Sequence, residues 1–189
     1  MAYTTPDEWD AHYTNGMKFR QLGDTERQLL AAHARAPEKG LALDIGCGLG
    51  DLARHLADIG YTVDAIDFAP AALTHAQDHT PTDLAVTYLV HDIDRDGTDG
   101  LPHPAYDLII FRLSWAFVRD RTRVMNRLRE RLRPGGTFVV ITPTAANVPD
   151  DRRDIALEEE ELGLLCEGWH VAERHDADGL AFILLRGPA

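Results

Sequence analysis

The sequence predicts an α/β fold in three layers, with a seven-stranded, mostly parallel sheet covered by helices on both faces. Three observations carry that reading. Short apolar runs alternate with amphipathic helical stretches from about residue 41 onward, the signature of strand-helix-strand units. The run Leu41-Ala42-Leu43-Asp44-Ile45 ends in alternating glycines, Gly46, Gly48 and Gly50, and opens into a helical pattern. The last two strand candidates are separated only by Asp176-Ala177-Asp178-Gly179, which leaves no room for a crossover helix and forces an antiparallel hairpin.

The strands are expected at 41–46, 61–67, 85–92, 106–113, 137–142, 170–175 and 180–186. Helices are expected near 24–35, 50–59, 70–79, 120–132 and 154–166, with Asp24, Pro70 and Asp154 as starts. Arg133-Pro134-Gly135-Gly136 is a strong helix stop. Loop-rich stretches fall at 94–104 and 143–153, and no repeat or low-complexity tract interrupts the chain. A single domain spanning 1–189 is expected, with 1–36 as an N-terminal helical lid and 41–189 as the core.

Composition narrows the function. The 189 residues and 44% apolar content suit one globular core that buries about 70% of its unfolded surface. A net charge of −12 opposes an extended footprint on nucleic acid or an anionic membrane. Cys47 and Cys166 lie far apart without metal-ligand spacing, which reads as a reducing, cytoplasmic chain. The polar, acidic start and the lack of a long apolar run argue against a signal peptide or a membrane span. A small-molecule substrate fits best, with assembly left between a monomer and a homodimer.

The glycine turn is informative through its details. Gly46, Gly48 and Gly50 let the backbone turn and approach a ligand where a Cβ would clash. Dinucleotide-binding loops place their third glycine three residues after the second, whereas here the spacing is two, and Asp44 would repel a pyrophosphate. A carboxylate is acceptable beside a cofactor that carries an ammonium and a sulfonium. Asp67 closes the second strand candidate, where an acid accepts ribose hydroxyls. Asp64, three residues earlier, is expected on the surface. Asp92, after the third strand, is placed to accept from an adenine amino group while Ile93 covers the ring.

These residues resemble the class I, Rossmann-like S-adenosylmethionine-dependent methyltransferases. The similarity spans about 41–142: Leu43-Asp44-Ile45-Gly46-Cys47-Gly48-Leu49-Gly50, Asp67, Asp92-Ile93, Tyr106-Asp107-Leu108-Ile109 and Leu132-Arg133-Pro134-Gly135-Gly136. The resemblance implies a strand order of 3-2-1-4-5-7-6 with the last strand reversed, in agreement with the hairpin. It implies S-adenosylmethionine as cofactor and S-adenosylhomocysteine as product. Gly46, Cys47 and Gly48 would contact the methionine part, Asp67 would hold the ribose, and Phe68 would pack on the adenine.

Asp107 begins its strand, away from the ligand edge, and is read as structural. The opposite end, Phe111-Arg112-Leu113-Ser114-Trp115, is better placed. Arg112 departs from the small or polar residues of many relatives, and either faces an anionic group or pairs with an acid. Ahead of the first strand lie Trp9, His12, Tyr13, Phe19 and Arg20; the resemblance implies that this segment folds over the cofactor as a lid, with Tyr13 lining the transfer pocket, His12 as a base and Arg20 on the methionine carboxylate. A helix docking through Trp9 explains the same aromatics. His75 and His79 lack a third ligand, so no metal is expected.

The expected function is direct in-line methyl transfer to an O, N, S or C nucleophile of a small molecule, with His12, Tyr13, Arg112 and Trp115 as catalytic candidates. The alternatives are a non-catalytic S-adenosylmethionine-binding module and, more remotely, an NAD-dependent oxidoreductase.

Overall fold

A computed structural model describes residues 5–16 and 19–189; the parts of the expected lid at 1–4 and 17–18 lie outside them. Seven strands form one sheet: β1 (Leu41–Ile45), β2 (Thr62–Asp67), β3 (Val86–Val90), β4 (Tyr106–Arg112), β5 (Leu132–Pro143), β6 (Trp169–Ala177) and β7 (Leu180–Pro188). Their order is β3-β2-β1-β4-β5-β7-β6. The pairs among β1 to β5 are parallel, while β7 runs antiparallel to both β5 and β6. The expected topology and the hairpin are both present.

Among the described residues six α-helices accompany the sheet: α1 (Pro6–Thr14), α2 (Asp24–His33), α3 (Asp51–Asp58), α4 (Pro70–Asp78), α5 (Arg121–Arg129) and α6 (Glu159–Cys166). Because successive strand residues face opposite ways, the core has two halves. Leu43, Ile45, Phe111, Phe138 and Val140 pack with Leu128 of α5 and Leu162 of α6. On the other face Ala42, Ile110, Val139 and Leu184 pack with Leu30 of α2 and Leu56 of α3.

Local signals set the helix ends. Thr5 and Glu8 make a reciprocal capping box at α1, the Thr5 N–H donating to Glu8 Oε2 at 2.6 Å. Pro70 opens α4, and the Asp120 carboxylate accepts from the Arg123 N–H at the start of α5. The last helix departs from expectation. Residues Asp150–Ile155 form a 3₁₀ stretch, and α6 begins only at Glu159, where the Glu158 N–H donates to Glu161 Oε2. Helix α5 stops at Arg129, before the Pro-Gly-Gly stretch, and that stretch is taken into β5 across an irregularity in its pairing with β4.

One side chain expected on the surface is buried. Asp64 is 2% exposed, accepting from Tyr106 Oη at 2.7 Å with His103 Nδ1 at 2.8 Å. Its strand is covered on both faces, so alternation did not imply a solvent side. Asp107 is structural as expected, accepting from the Leu41 N–H and Arg133 Nη1.

Arg112, at the end of β4, locks the N-terminal segment to the sheet. Its Nε and Nη2 donate to the two oxygens of Glu26 at 2.7 and 3.1 Å, and Nη1 and Nη2 donate to the Arg20 and Gln21 carbonyls. The pair is almost fully buried, at 9% and 5% side-chain exposure. The cost of desolvating two charges is offset by this bidentate geometry and the extra carbonyl acceptors. Arg112→Ala is expected to lower the unfolding free energy by about 3–5 kcal/mol, because Glu26 would be left charged and buried. Denaturant unfolding checks this, and adding Glu26→Leu should recover part of the loss.

Candidate functional site

The carboxyl ends of β1, β2 and β4 and the turn after β3 surround one cavity enclosing about 630 Å³, part of it open to solvent. This is the edge where open parallel sheets bind ligands. Its base is the glycine turn after β1. Gly46 has φ +71°, and a Cβ there would stand 2.6 Å from the Ser114 Cβ. Gly48, at φ +52°, would bring a Cβ within 3.0 Å of the Tyr13 hydroxyl. Both the conformation and the close approach therefore require glycine. The Gly46 and Cys47 N–H groups donate to the Ile66 carbonyl at 2.9 and 3.0 Å, joining the turn to β2.

Asp67 ends β2 and lines the cavity. Its Oδ2 accepts from the Gly48 N–H and its Oδ1 from the Ala69 N–H, each at 2.9 Å. Burial raises its pKa, and the backbone donors Ala69, Gly48 and Phe68 oppose that rise. Each oxygen keeps a lone pair beyond these bonds. Phe68 follows it into the cavity wall, and Asp92 and Ile93 form another part of that wall. Asp92 also shapes its own turn, its Oδ1 accepting from the Asp94 and Arg95 N–H groups.

Helix α1 supplies the roof. Trp9 and Tyr13 line the cavity together with Phe117. Trp9 stacks on Tyr13 at 5.9 Å, meets Phe117 edge-on at 5.1 Å and packs on Phe19 at 5.7 Å. The Ala71 N–H of α4 donates to Asp10 Oδ1 at 2.8 Å, fastening α1 beside the opening. Burial raises the Tyr13 pKa far above the ordinary phenol range, with further contributions from Asp67 and Cys47. Tyr13 is therefore a neutral hydroxyl and not a phenolate.

The expected residues divide cleanly. Tyr13, Gly46, Asp67, Phe68, Asp92, Ile93 and Phe111 line the cavity. Cys47 is buried beside it, and burial with Asp67 and Asp44 nearby keeps its thiol protonated. Gly50, at φ +80°, caps α3 instead of facing the cavity. Trp115 is a core residue, edge-on to Phe111 at 4.8 Å and to Phe138 at 6.1 Å. Arg112 has committed its guanidinium to Glu26, and Arg20 reaches the Asp178 carbonyl at 3.0 Å. His12 packs edge-on to Trp9 outside the cavity lining.

Leu113 and Ser114, expected only as part of the well-placed end of β4 and given no role, line the cavity, as do His91 and Val118, which the sequence did not single out. Ser114 Oγ donates to the Ile45 carbonyl at 2.6 Å, and Leu113 holds φ +59°. A non-glycine residue in that region is a strained turn forced by its surroundings. The one available signal was their place just past β4.

Asp44 is the least satisfied group at the site. It is 1% exposed, and its Oδ2 has no hydrogen-bond partner. Burial raises its pKa to about 7, Asp67 adds to that, and Arg112 opposes it.

A seven-stranded sheet in this order, with a glycine turn after β1 and an acid closing β2, defines the Rossmann-like methyltransferase class. The model of the family described as "Methyltransferase domain" matches residues 18–176, and the chain belongs to that family. It is 33% identical over 138 residues to the mitochondrial arginine-hydroxylase NDUFAF5 of Rattus norvegicus, covering 69% of this chain and 37% of that protein. It is 28% identical over 138 residues to the ubiquinone biosynthesis O-methyltransferase of Hydrogenovibrio crunogenus, covering 72% of this chain and 56% of that protein. The chain thus spans between about a third and three-fifths of these relatives. The crystal structure of a SAM-dependent methyltransferase from Aquifex aeolicus superposes with a TM-score of 0.73 at 19% identity, covering 95% of this chain and 96% of that one. Among the described residues no helix is long and apolar enough to cross a membrane.

Asp44 titrates higher folded than the ~4 of an unfolded aspartate, so the folded state holds the extra proton between these values. Its contribution to stability is fully present below about pH 4 and is lost as pH rises through about 7. Wild type should therefore lose stability relative to Asp44→Asn between pH 5 and 8. Denaturant unfolding of both proteins across that range measures it, and a constant difference would show that Asp44 does not titrate there.

Proposed function

We propose that the chain is an S-adenosylmethionine-dependent methyltransferase that acts on a small-molecule acceptor. The observation that carries this reading is Asp67. It presents a buried, backbone-held carboxylate to the cavity at the end of β2, with oxygen capacity left for two ribose hydroxyls. The residues present fit that cofactor. Asp44 offers an acceptor without a partner beside the glycine turn, which suits a group bearing positive charge and would oppose a pyrophosphate.

In this reading the backbone of Gly46 to Gly48 holds the methionine part, Asp67 the ribose, and Phe68, Asp92 and Ile93 the adenine. When bound, the cofactor supplies a methyl group already activated by positive sulfur. What remains for the protein is alignment and exclusion of water. Trp9, Tyr13 and Phe117 do the second by roofing the cavity with rings. The neutral Tyr13 hydroxyl donates to the acceptor or orients it, and no catalytic part is given to Arg112, Trp115 or His12. The N-terminal segment is the lid. The short 143–153 connection adds no substrate-binding domain, which fits a small acceptor. The name of the Hydrogenovibrio relative supports an O-methyl acceptor as the first class to try.

Incubation with methyl-labelled cofactor and a panel of hydroxyl, amine, thiol and carboxylate acceptors should transfer label to one class. Binding of S-adenosylhomocysteine without any transfer would favour the non-catalytic module, and binding of NAD alone would overturn the reading. Asp67→Ala should weaken S-adenosylhomocysteine binding by about 1.5–3 kcal/mol in calorimetry, the value of a hydrogen bond to a charged acceptor. Unchanged affinity would remove Asp67 from the ribose site.

A further inference from the structure

On the face of the sheet that carries α2, His33, Glu173 and His175 meet at one point. Glu173 and His175 are two residues apart on β6 and so share a face. Their cross-strand partners, Leu184 and Phe182, belong to the core half packed beneath α2. His33 is the last residue of α2, where the helix dipole favours a cation. The three potential ligand atoms all lie within 4.8 Å of one another. His33 Nδ1 is 3.8 Å, and His175 Nε2 3.9 Å, from the same Glu173 oxygen, Oε2.

Two features of this cluster are poorly explained by packing alone. His175 Nε2 is buried without a hydrogen-bond partner, although a ring nitrogen in that position ordinarily finds one. The two imidazoles lie 4.4 Å apart between centroids, tilted by 38°, an arrangement that is unfavourable if both are protonated. Glu173 is divided between two tasks. Its Oε1 accepts from Arg186 Nη1 at 2.9 Å, which orients the carboxylate and leaves Oε2 toward the histidines. Arg186 is itself held, donating through Nη2 to the His33 carbonyl and through Nε to Thr137 Oγ1.

We propose that His33, Glu173 and His175 form a binding site for a divalent transition metal ion of the zinc class. Two imidazoles and one carboxylate are donors that zinc, cobalt and nickel accept, and they disfavour magnesium and calcium, which prefer all-oxygen sets. Donors on one tetrahedral ion at ~2.0–2.2 Å stand about 3.3–3.6 Å apart, so modest side-chain rotations bring these three into range. The fourth position is left to water, because all three side chains are partly exposed. The neighbouring Arg186 charge lowers affinity, and its hold on Oε1 supplies the orienting contact that carboxylate ligands need. The site joins α2 to the hairpin of β6 and β7, elements far apart in the chain, so it exists only in the folded protein.

The test uses untagged full-length protein stripped with a chelator and titrated with cobalt(II) and zinc chloride. One saturable site per chain is expected. Cobalt should give visible absorption bands that zinc displaces, and zinc should raise the unfolding temperature. His33→Ala and His175→Ala should each weaken binding by at least about tenfold, with His175→Gln as a second, milder variant. His79→Ala, which removes the other stacked histidine pair, should leave binding unchanged. The proposal is overturned if no stoichiometric site appears, or if the His33 and His175 variants bind the metal as wild type does. S-adenosylhomocysteine binding is measured on the same samples, so failure here is separable from failure of the methyltransferase reading.

Discussion

The hydrogen bonds that Asp67 accepts from the Gly48 and Ala69 N–H groups organise the ligand edge of this protein. One oxygen fixes the glycine turn after β1, and the other fixes the chain as it enters α4. Both segments are irregular backbone that would otherwise leave buried donors unpaired. The carboxylate proposed to hold the ribose is thus the one that shapes the loop beside the cavity, and burial is tolerable because those N–H groups replace water.

A second constraint acts at the end of β4. The bidentate pair of Arg112 and Glu26, with the Arg20 and Gln21 carbonyls, fixes where the chain emerges before it turns toward Phe19 and α1. The ring cluster of Trp9, Tyr13, Phe19 and Phe117 is built from that fixed point. Sheet, tether and roof therefore follow one another in a defined order.

Much of this was legible in the sequence, for physical reasons that also explain the misses. The mostly parallel sheet and its reversed last strand follow from apolar runs, the glycine turn and a four-residue hairpin connection, all local signals, whereas the strand order came from the resemblance to the methyltransferase family. Asp67 and Asp92 could be placed because strand ends can be counted. Arg112 could not be resolved, because its partner Glu26 is 86 positions away, and pairing at that distance leaves no periodic trace. Trp115 lay at the right strand end, but its ring turns into the core against Phe111 and Phe138. The surface reading of Asp64 failed because an interior parallel strand has no wet face. Helix α6 starts late because the Glu158 and Glu161 capping box outcompetes Asp154. Ser114 and Leu113 were placed at the right strand end but given no role, because a single strained residue after a strand leaves no mark in the sequence pattern.

The roof has a further consequence. Helix α1 is held over the cavity by stacked rings and by the single bond from the Ala71 N–H to Asp10, and that donor belongs to the first turn of α4, directly after the Asp67 segment. The backbone stretch from Asp67 to Ala71 therefore does two things at once: its first residues, Asp67 and Phe68, line the cavity, and its last anchors the helix whose rings cover that cavity, so the floor and the cover of the space are set by five consecutive residues.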